Sequence, residues 1–285
     1  MKERETINRS CHDREKYRRY YNDWFKQKSV ELEKFLSPST KLFDMRRQFI
    51  LNIAKDQAKK GNINILDLGC GEETYIEDLV KIGNNNLYGV DISDYVIDLH
   101  KKAYQNHSNV EFVACPAEQL PFNKEYFDLI ICDELIEHVP KAEILLDEIA
   151  RVIKKDGALI ISTPNRNRIS ALCKKLVPRR LLNRLSSNPM NSINPLLQKE
   201  HNRIHYHEHE FGLGELTKLL KHKEFTIINT IKTTMILFPP KLYDKLATDF
   251  PGLDRVWRKI DSKTIHSLPS FLKVNMTVVS RRNNR

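Results

Sequence analysis

The sequence predicts an α/β fold, doubly wound around a mostly parallel sheet, and three observations predict it. The run Ile63-Asn64-Ile65-Leu66-Asp67-Leu68-Gly69-Cys70-Gly71 is an apolar, β-branched stretch that ends in an acid and a G-x-G turn. That is how a buried parallel strand delivers its chain into a turn tight enough for a ligand to approach the backbone. Twenty residues beyond Gly71, Leu87-Tyr88-Gly89-Val90-Asp91 reads as a second strand ending in a carboxylate. From residue 62 onward strand-like and helix-like segments alternate, which argues for a parallel sheet covered on both faces.

Taken in order, residues 1–61 read as a helical lid. Asp13 to Lys34 forms one helix, rich in aromatic and charged residues, and Ser37-Pro38-Ser39-Thr40 breaks it. A second helix from Lys41 to Lys60 stops at Gly61. Strands are expected at 63–69, 87–91, 110–114, 127–132 and 157–163, with helices near 73–82, 93–105 and 141–154. A basic, amphipathic insert, 165–203, then interrupts the alternation with Pro178, Pro189 and Pro195 and no glycine. Helix 213–223 and strands 225–237 and 273–281 follow, the last two separated by a Pro-rich excursion, 238–272. The domain bounded this way is 62–285, with seven strands.

The 285 residues suffice for one large domain, and 40% apolar with 29% charged residues is ordinary for a globular protein. The charged N-terminus predicts no secretory signal, and no apolar run approaches the ~20 residues of a spanning helix. Five scattered cysteines, never C-x-x-C, argue against disulfides or structural zinc, so the cytoplasm is the expected compartment. The net charge of +10 is unevenly spread: residues 62–163 carry 19 Asp/Glu against 8 Lys/Arg, whereas 164–203 hold nine Lys/Arg and the single acid Glu200.

A Gly-rich turn after one strand and an acid ending the next describe a nucleoside pocket. A dinucleotide site wants a third glycine, and Glu72 and Glu73 at a helix start would repel a diphosphate. A phosphate-free nucleoside fits better, and S-adenosylmethionine (SAM) brings a positive sulfonium that an acidic pocket tolerates.

Leu66 to Gly71 resembles motif I of class I SAM-dependent methyltransferases, and Gly89-Val90-Asp91-Ile92-Ser93 resembles their second motif. Ala117-Glu118-Gln119-Leu120-Pro121-Phe122 is similar to the loop along the adenine. Phe127 to Asp133, Glu137-His138-Val139, Gly157 to Asn165 and Glu208-His209-Glu210-Phe211 resemble later elements of the same family, in the same order. The resemblance, which extends to ubiquinone-pathway-type O-methyltransferases, implies a Rossmann-like fold. It also implies a cofactor site comprising Asp67, Gly69, Cys70, Gly71, Asp91, Ile92, Ala117, Glu118 and Asp133, with Asp91 on the ribose. Asp67 reads equally as a carboxylate capping its own turn. Glu73 stands where the family has another glycine, which would put a side chain near the methionine end of the cofactor. Pro116 replaces an acid that reaches the adenine.

His138 is the first candidate base and His209 the second. Glu134, Glu137 and His138 form Glu-x-x-Glu-His, which reads as a solvated helix start with favourable acids or as a shared site, since on a helical turn the two glutamates share a face. Resemblance to RNA 3′-end 2′-O-methyltransferases implies that these three, with a distal His209 or His207, could hold Mg²⁺ or Mn²⁺, which mixed O/N donors suit better than zinc. Tyr17, Tyr20, Tyr21, Trp24 and Phe25 read as a lid that packs over the cofactor or as core packing alone.

Residues 165–187 set Ile169, Leu172, Leu176, Leu181, Leu182 and Leu185 at helical spacing among Lys174, Lys175, Arg179, Arg180 and Arg184. They read as a cap helix or as a surface for peripheral contact with an anionic membrane. With no Phe, Tyr or Trp there to stack bases, nucleic acid is the weaker partner. The expected activity is methyl transfer to a hydroxyl of a small or lipid-linked acceptor. The alternatives are an RNA methyltransferase and a non-catalytic module that keeps the SAM fold.

Overall fold

The computed structural model describes residues 14–26, 40–166, 209–235 and 273–283. The helices are α1 (14–26), α2 (Thr40–Ala58), α3 (Ile76–Leu79), α4 (Asp94–Ala103), α5 (Ala142–Val152) and α6 (Leu213–His222). The strands are β1 (Asn64–Leu68), β2 (Asn86–Asp91), β3 (Val110–Ala114), β4 (Phe127–Asp133), β5 (Ile153–Pro164), β6 (Phe225–Met235) and β7 (Lys273–Arg282). They form one seven-stranded sheet in the order β3-β2-β1-β4-β5-β7-β6. β1 to β5 run parallel, and β7 is antiparallel to both β5 and β6. This is the Rossmann-like doubly wound sheet that the sequence predicts. The expected insert beyond Arg166, the excursion 238–272, the lid helix beyond Lys26 and His207 lie outside the described residues.

Period-two alternation explains the two-sided core. Leu66 and Leu68 of β1, Ile130 and Cys132 of β4, and Leu159 and Ile161 of β5 face one cluster with α5 and α6. Ile65, Leu129, Ile131 and Ile160 face the other with Ile50, Leu51 and Ala54 of α2. Strands apolar on both faces are what a sheet between two helical layers requires.

Two elements differ from expectation. The helix expected at 73–82 shrinks to α3, because Thr74 and Tyr75 are held by Asp67 instead. β5 begins at Ile153 rather than 157. Ile153 pairs with Phe127 and Ala158 with Leu129, and the intervening bulge passes through Asp156 at φ 60°.

β1 and β4 are neighbours whose connections leave on opposite faces. Their carboxyl ends therefore diverge into a crevice, the usual ligand position in such sheets.

Candidate functional site

A cavity of about 410 Å³ opens at that crevice, a size typical of small-molecule sites. Its floor is the turn after β1. Gly69 and Gly71 take φ of 78° and 48°, conformations that side chains resist. The Gly69 and Cys70 amides both donate to Val90 O, at 2.8 and 3.0 Å. Gly71 N donates to Asp91 Oδ2 at 3.1 Å, and Ser93 N donates to Asp91 Oδ1 at 2.9 Å. His100 Nε2 lies 2.7 Å from Gly71 O; a carbonyl accepts, so that nitrogen carries the proton. The His100 ring stacks on Phe112, 4.8 Å between centroids. Burial pushes the Asp91 carboxyl up, opposed by the Ser93 and Gly71 amides and by His100.

Gly69, Gly71, Asp91, Ile92, Ala117, Glu118, Glu134 and His138 line the cavity. The remaining expected site residues do not. Asp67 is buried beneath the turn, where Oδ2 accepts from Thr74 Oγ1 at 2.7 Å and from Tyr75 N at 2.8 Å. Burial raises its pKa to about 6, against the pull of those two hydrogen bonds. Cys70 is buried, its thiol pushed well up by desolvation. Asp133 is consumed by protein partners: it accepts from Tyr75 Oη at 2.9 Å and from Ser162 Oγ, and Arg46 Nε lies 3.2 Å away. Glu73 is exposed at the surface and outside the cavity, while its carbonyl accepts from Arg47 at 2.7 Å.

The Glu-x-x-Glu-His set does not form one face. Residues 134–140 are turns rather than a helix, and Glu134 has φ 51°. Its carboxylate meets Arg46 at 3.1 Å beside the cavity. Glu137 turns into the core, where Thr163 Oγ1 donates to Oε2 at 2.9 Å. Burial, then the charge of Glu134, drive its pKa well up. His138 Nε2 is 3.9 Å from Glu137 Oε1. The ring of His209 is engaged by Glu215, Nε2 to Oε1 2.7 Å, and does not line the cavity. Among the described residues no three His, Cys, Asp or Glu side chains converge as metal donors. The residues present thus do not fit the expected shared ion.

Sequence reasoning missed Arg46, which reaches from α2 to the end of β4, and Arg14 and Lys141 at the cavity wall. Helical spacing within α2 offered no signal for Arg46. Tyr17, Tyr21, Trp24 and Phe25 of α1 complete the wall, as the aromatic run suggests, and Tyr20 is buried behind them.

Residues 66–161 match the family described as "Methyltransferase domain". The ubiquinone biosynthesis O-methyltransferase of Coxiella burnetii is 39% identical over 105 residues, which cover 36% of this chain and 44% of that protein. The Bartonella tribocorum protein of the same name is 30% identical over 131 residues, 45% and 53% of the two chains. The chain thus matches about half the length of these curated relatives. Among solved structures, a putative sarcosine dimethylglycine methyltransferase from Galdieria sulphuraria aligns over 84% of this chain and 86% of its own, with TM-score 0.56 and 16% identity. The [4+2]-cyclase SpnF aligns over 81% and 80%, with TM-score 0.52 and 13% identity. Residues 66–161 thus match a methyltransferase domain, and the chain shares the fold of these solved structures. That SpnF is a cyclase shows that this fold alone does not fix the reaction.

Proposed function

We propose that this protein transfers the methyl group of SAM to a hydroxyl of a small or lipid-linked acceptor. The observation that carries the reading is Asp91: a carboxylate ending β2, pinned to the glycine turn, at the wall of a cavity large enough for a nucleoside. Match of 66–161 to the methyltransferase family supports it, and the relatives' O-methyltransferase names favour a hydroxyl over an amine or carbon acceptor.

Bound in this cavity, SAM supplies an electrophilic methyl group. Asp91 would accept the ribose hydroxyls, Ile92 and Ala117 would flank the adenine, and the amides of the glycine turn would line the methionine side. Arg46, paired with Asp133 and Glu134 outside the cavity, would hold Glu134 at its wall. The aromatic wall of α1 and the acids Glu118 and Glu134 suit a sulfonium. What remains for the protein is to align the acceptor oxygen, exclude water and take the hydroxyl proton. His138, which lines the cavity, is the base we assign; its Nε2 lies 3.9 Å from Glu137, which Thr163 holds. The hydroxyl oxygen bonds to the methyl carbon as the sulfur–methyl bond breaks, leaving S-adenosylhomocysteine (SAH).

The basic amphipathic segment 165–187 is the part we assign to an anionic membrane surface, where a lipid-linked acceptor would lie. No helix among the described residues is long and apolar enough to cross a membrane.

Calorimetry with SAH tests the cofactor half. Asp91→Ala is expected to weaken binding ~10- to 100-fold, the worth of hydrogen bonds to a charged acceptor. Labelled SAM, incubated with lipid, small-molecule and RNA fractions of cells, tests the acceptor half. Label confined to RNA overturns our reading, and label in no fraction favours a binding module.

A further inference from the structure

Asn22 of helix α1 reaches the start of α4 with one amide side chain. Asn22 Oδ1 accepts from Ser93 Oγ at 2.8 Å and from Tyr95 N at 3.1 Å. Its Nδ2 faces Asp94 Oδ2 at 3.5 Å. Ser93 is the N-cap of α4, and its Oγ accepts from Val96 N. Tyr95 is the second residue of that helix, one of the first-turn amides that find no acceptor within their own helix. Asn22 therefore completes the cap of α4 from outside it.

The same turn runs on into the cavity. Ser93 N donates to Asp91 Oδ1, and Asp91 Oδ2 accepts from Gly71 N. An unbroken series of hydrogen bonds thus links Asn22 to Ser93, Ser93 to Asp91, and Asp91 to the glycine turn. Tyr20 of α1 is buried, and exposed ties add to it. Arg18 lies 3.8 Å from Asp94, Arg14 donates to Gln119 at 2.9 Å, and Lys26 sits 5.9 Å over the Tyr95 ring. Exposed contacts of that kind hold little free energy.

We propose that Asn22 is a positioning residue that couples the seating of the aromatic wall to the Asp91 turn, so that α1 and the nucleoside site close as a unit. The identity of the nucleoside rests on the SAM reading above; the coupling itself does not. Coupling is reciprocal: whatever the seated helix adds to nucleoside affinity, the bound nucleoside adds to seating.

Trp24 supplies a direct readout, because the chain has two tryptophans and the other is Trp257. In a Trp257→Phe background, acrylamide quenching of Trp24 reports whether α1 is seated, with no ligand present. Asn22→Ala is expected to raise quenching and weaken SAH binding by about tenfold, the worth of roughly two neutral hydrogen bonds less residual contacts. Asn22→Asp keeps the acceptor oxygen for Ser93 and Tyr95, and in an Asp94→Asn background, which removes the facing carboxylate, it should restore both readouts. Ser93→Ala attacks the coupling from the other side and should also expose Trp24. SAH added to the parent protein should lower quenching further.

The proposal is overturned if Asn22→Ala quenches like its parent, or if Trp24 becomes exposed while SAH affinity is unchanged. It is also overturned if Asn22→Asp in the Asp94→Asn background behaves like Asn22→Ala. Should the parent protein bind no SAH, the cofactor reading fails. The Asn22 and Ser93 variants then still decide, by quenching alone, whether the series of bonds seats the helix.

Discussion

The two ends of the parallel strands are built from different chemistry. At the amino end the polar groups are largely neutral amides that satisfy one another. Asn85 donates to Ala58 O at 3.0 Å and to Ile82 O at 2.7 Å and accepts from Ile63 N at 3.3 Å. Asn64 donates to Tyr126 O and accepts from Asn86. At the carboxyl end the strands and their exits deliver Asp67, Asp91, Asp133, Glu134 and Glu137 into a small volume, and burial pushes several of these carboxyls up. The amide end spends its hydrogen bonds on closing the fold. The acid end accepts desolvation in return for a field that favours a cation. The candidate site thus sits at one end of the strands while stability draws on both, and substitutions at the two ends should have different signatures.

The largest effect should come from Arg46, the buried counter-charge of the acid end. Its side chain is 12% exposed and lies 3.2 Å from Asp133 and 3.1 Å from Glu134. Removing one partner of a buried pair leaves uncompensated charge, a cost of ~3–5 kcal/mol. Arg46→Met should therefore lower stability by about 3 kcal/mol in urea titration, at the low end because Tyr75 and Ser162 still serve Asp133. SAH affinity should fall with it.

Asn85→Ala is the matching test at the other end. It strands two carbonyls and one amide in a buried position, for ~2–3 kcal/mol of destabilisation. SAH affinity measured below the unfolding transition should stay at the wild-type value. A large loss of affinity here would break the separation of the two ends.

Asp67 sharpens the comparison through pH. Its pKa is about 6 in the fold against 3.8 for the free side chain, so the native state binds more protons between those values. Stability then falls as pH rises from about 4 to 6, by at most roughly 3 kcal/mol, since each unit is worth ~1.4. Asp67→Asn keeps an oxygen for Thr74 and Tyr75 and loses the charge. It should flatten that slope in urea midpoints taken from pH 4 to 7, and raise stability at pH 7 by about 1–2 kcal/mol.

What was legible in the sequence was what is local. The glycine turn, the acid ending β2 and the seven strands are written in runs of five to twelve residues, where period and turn chemistry decide the structure. Asp67, which reads either as a turn cap or as a cofactor contact, caps Thr74 and Tyr75. The Glu-x-x-Glu-His pattern misled because shared faces presuppose a helix. Glu134 in a left-handed conformation sends its carboxylate to Arg46, while Glu137 goes into the core. Arg46 and Asn22 were illegible for a further reason. Each acts on residues more than 70 positions away, and only the closed sheet brings them together.

The smallest effect should come from the ion pair at the amide end, Lys154 and Asp128, 2.8 Å apart. It resembles the Arg46 pairs in distance, yet Lys154 is 40% exposed, and solvent screens the attraction. Asp128 also retains the Asn64 amide at 2.9 Å when the lysine is removed. Lys154→Met should therefore cost less than about 1 kcal/mol, a difference that shrinks further in 0.5 M salt, and leave SAH affinity untouched. Equal costs for Lys154→Met and Arg46→Met would mean that burial does not distinguish the two pairs. The contrast between the ends of the sheet would then rest on charge number alone.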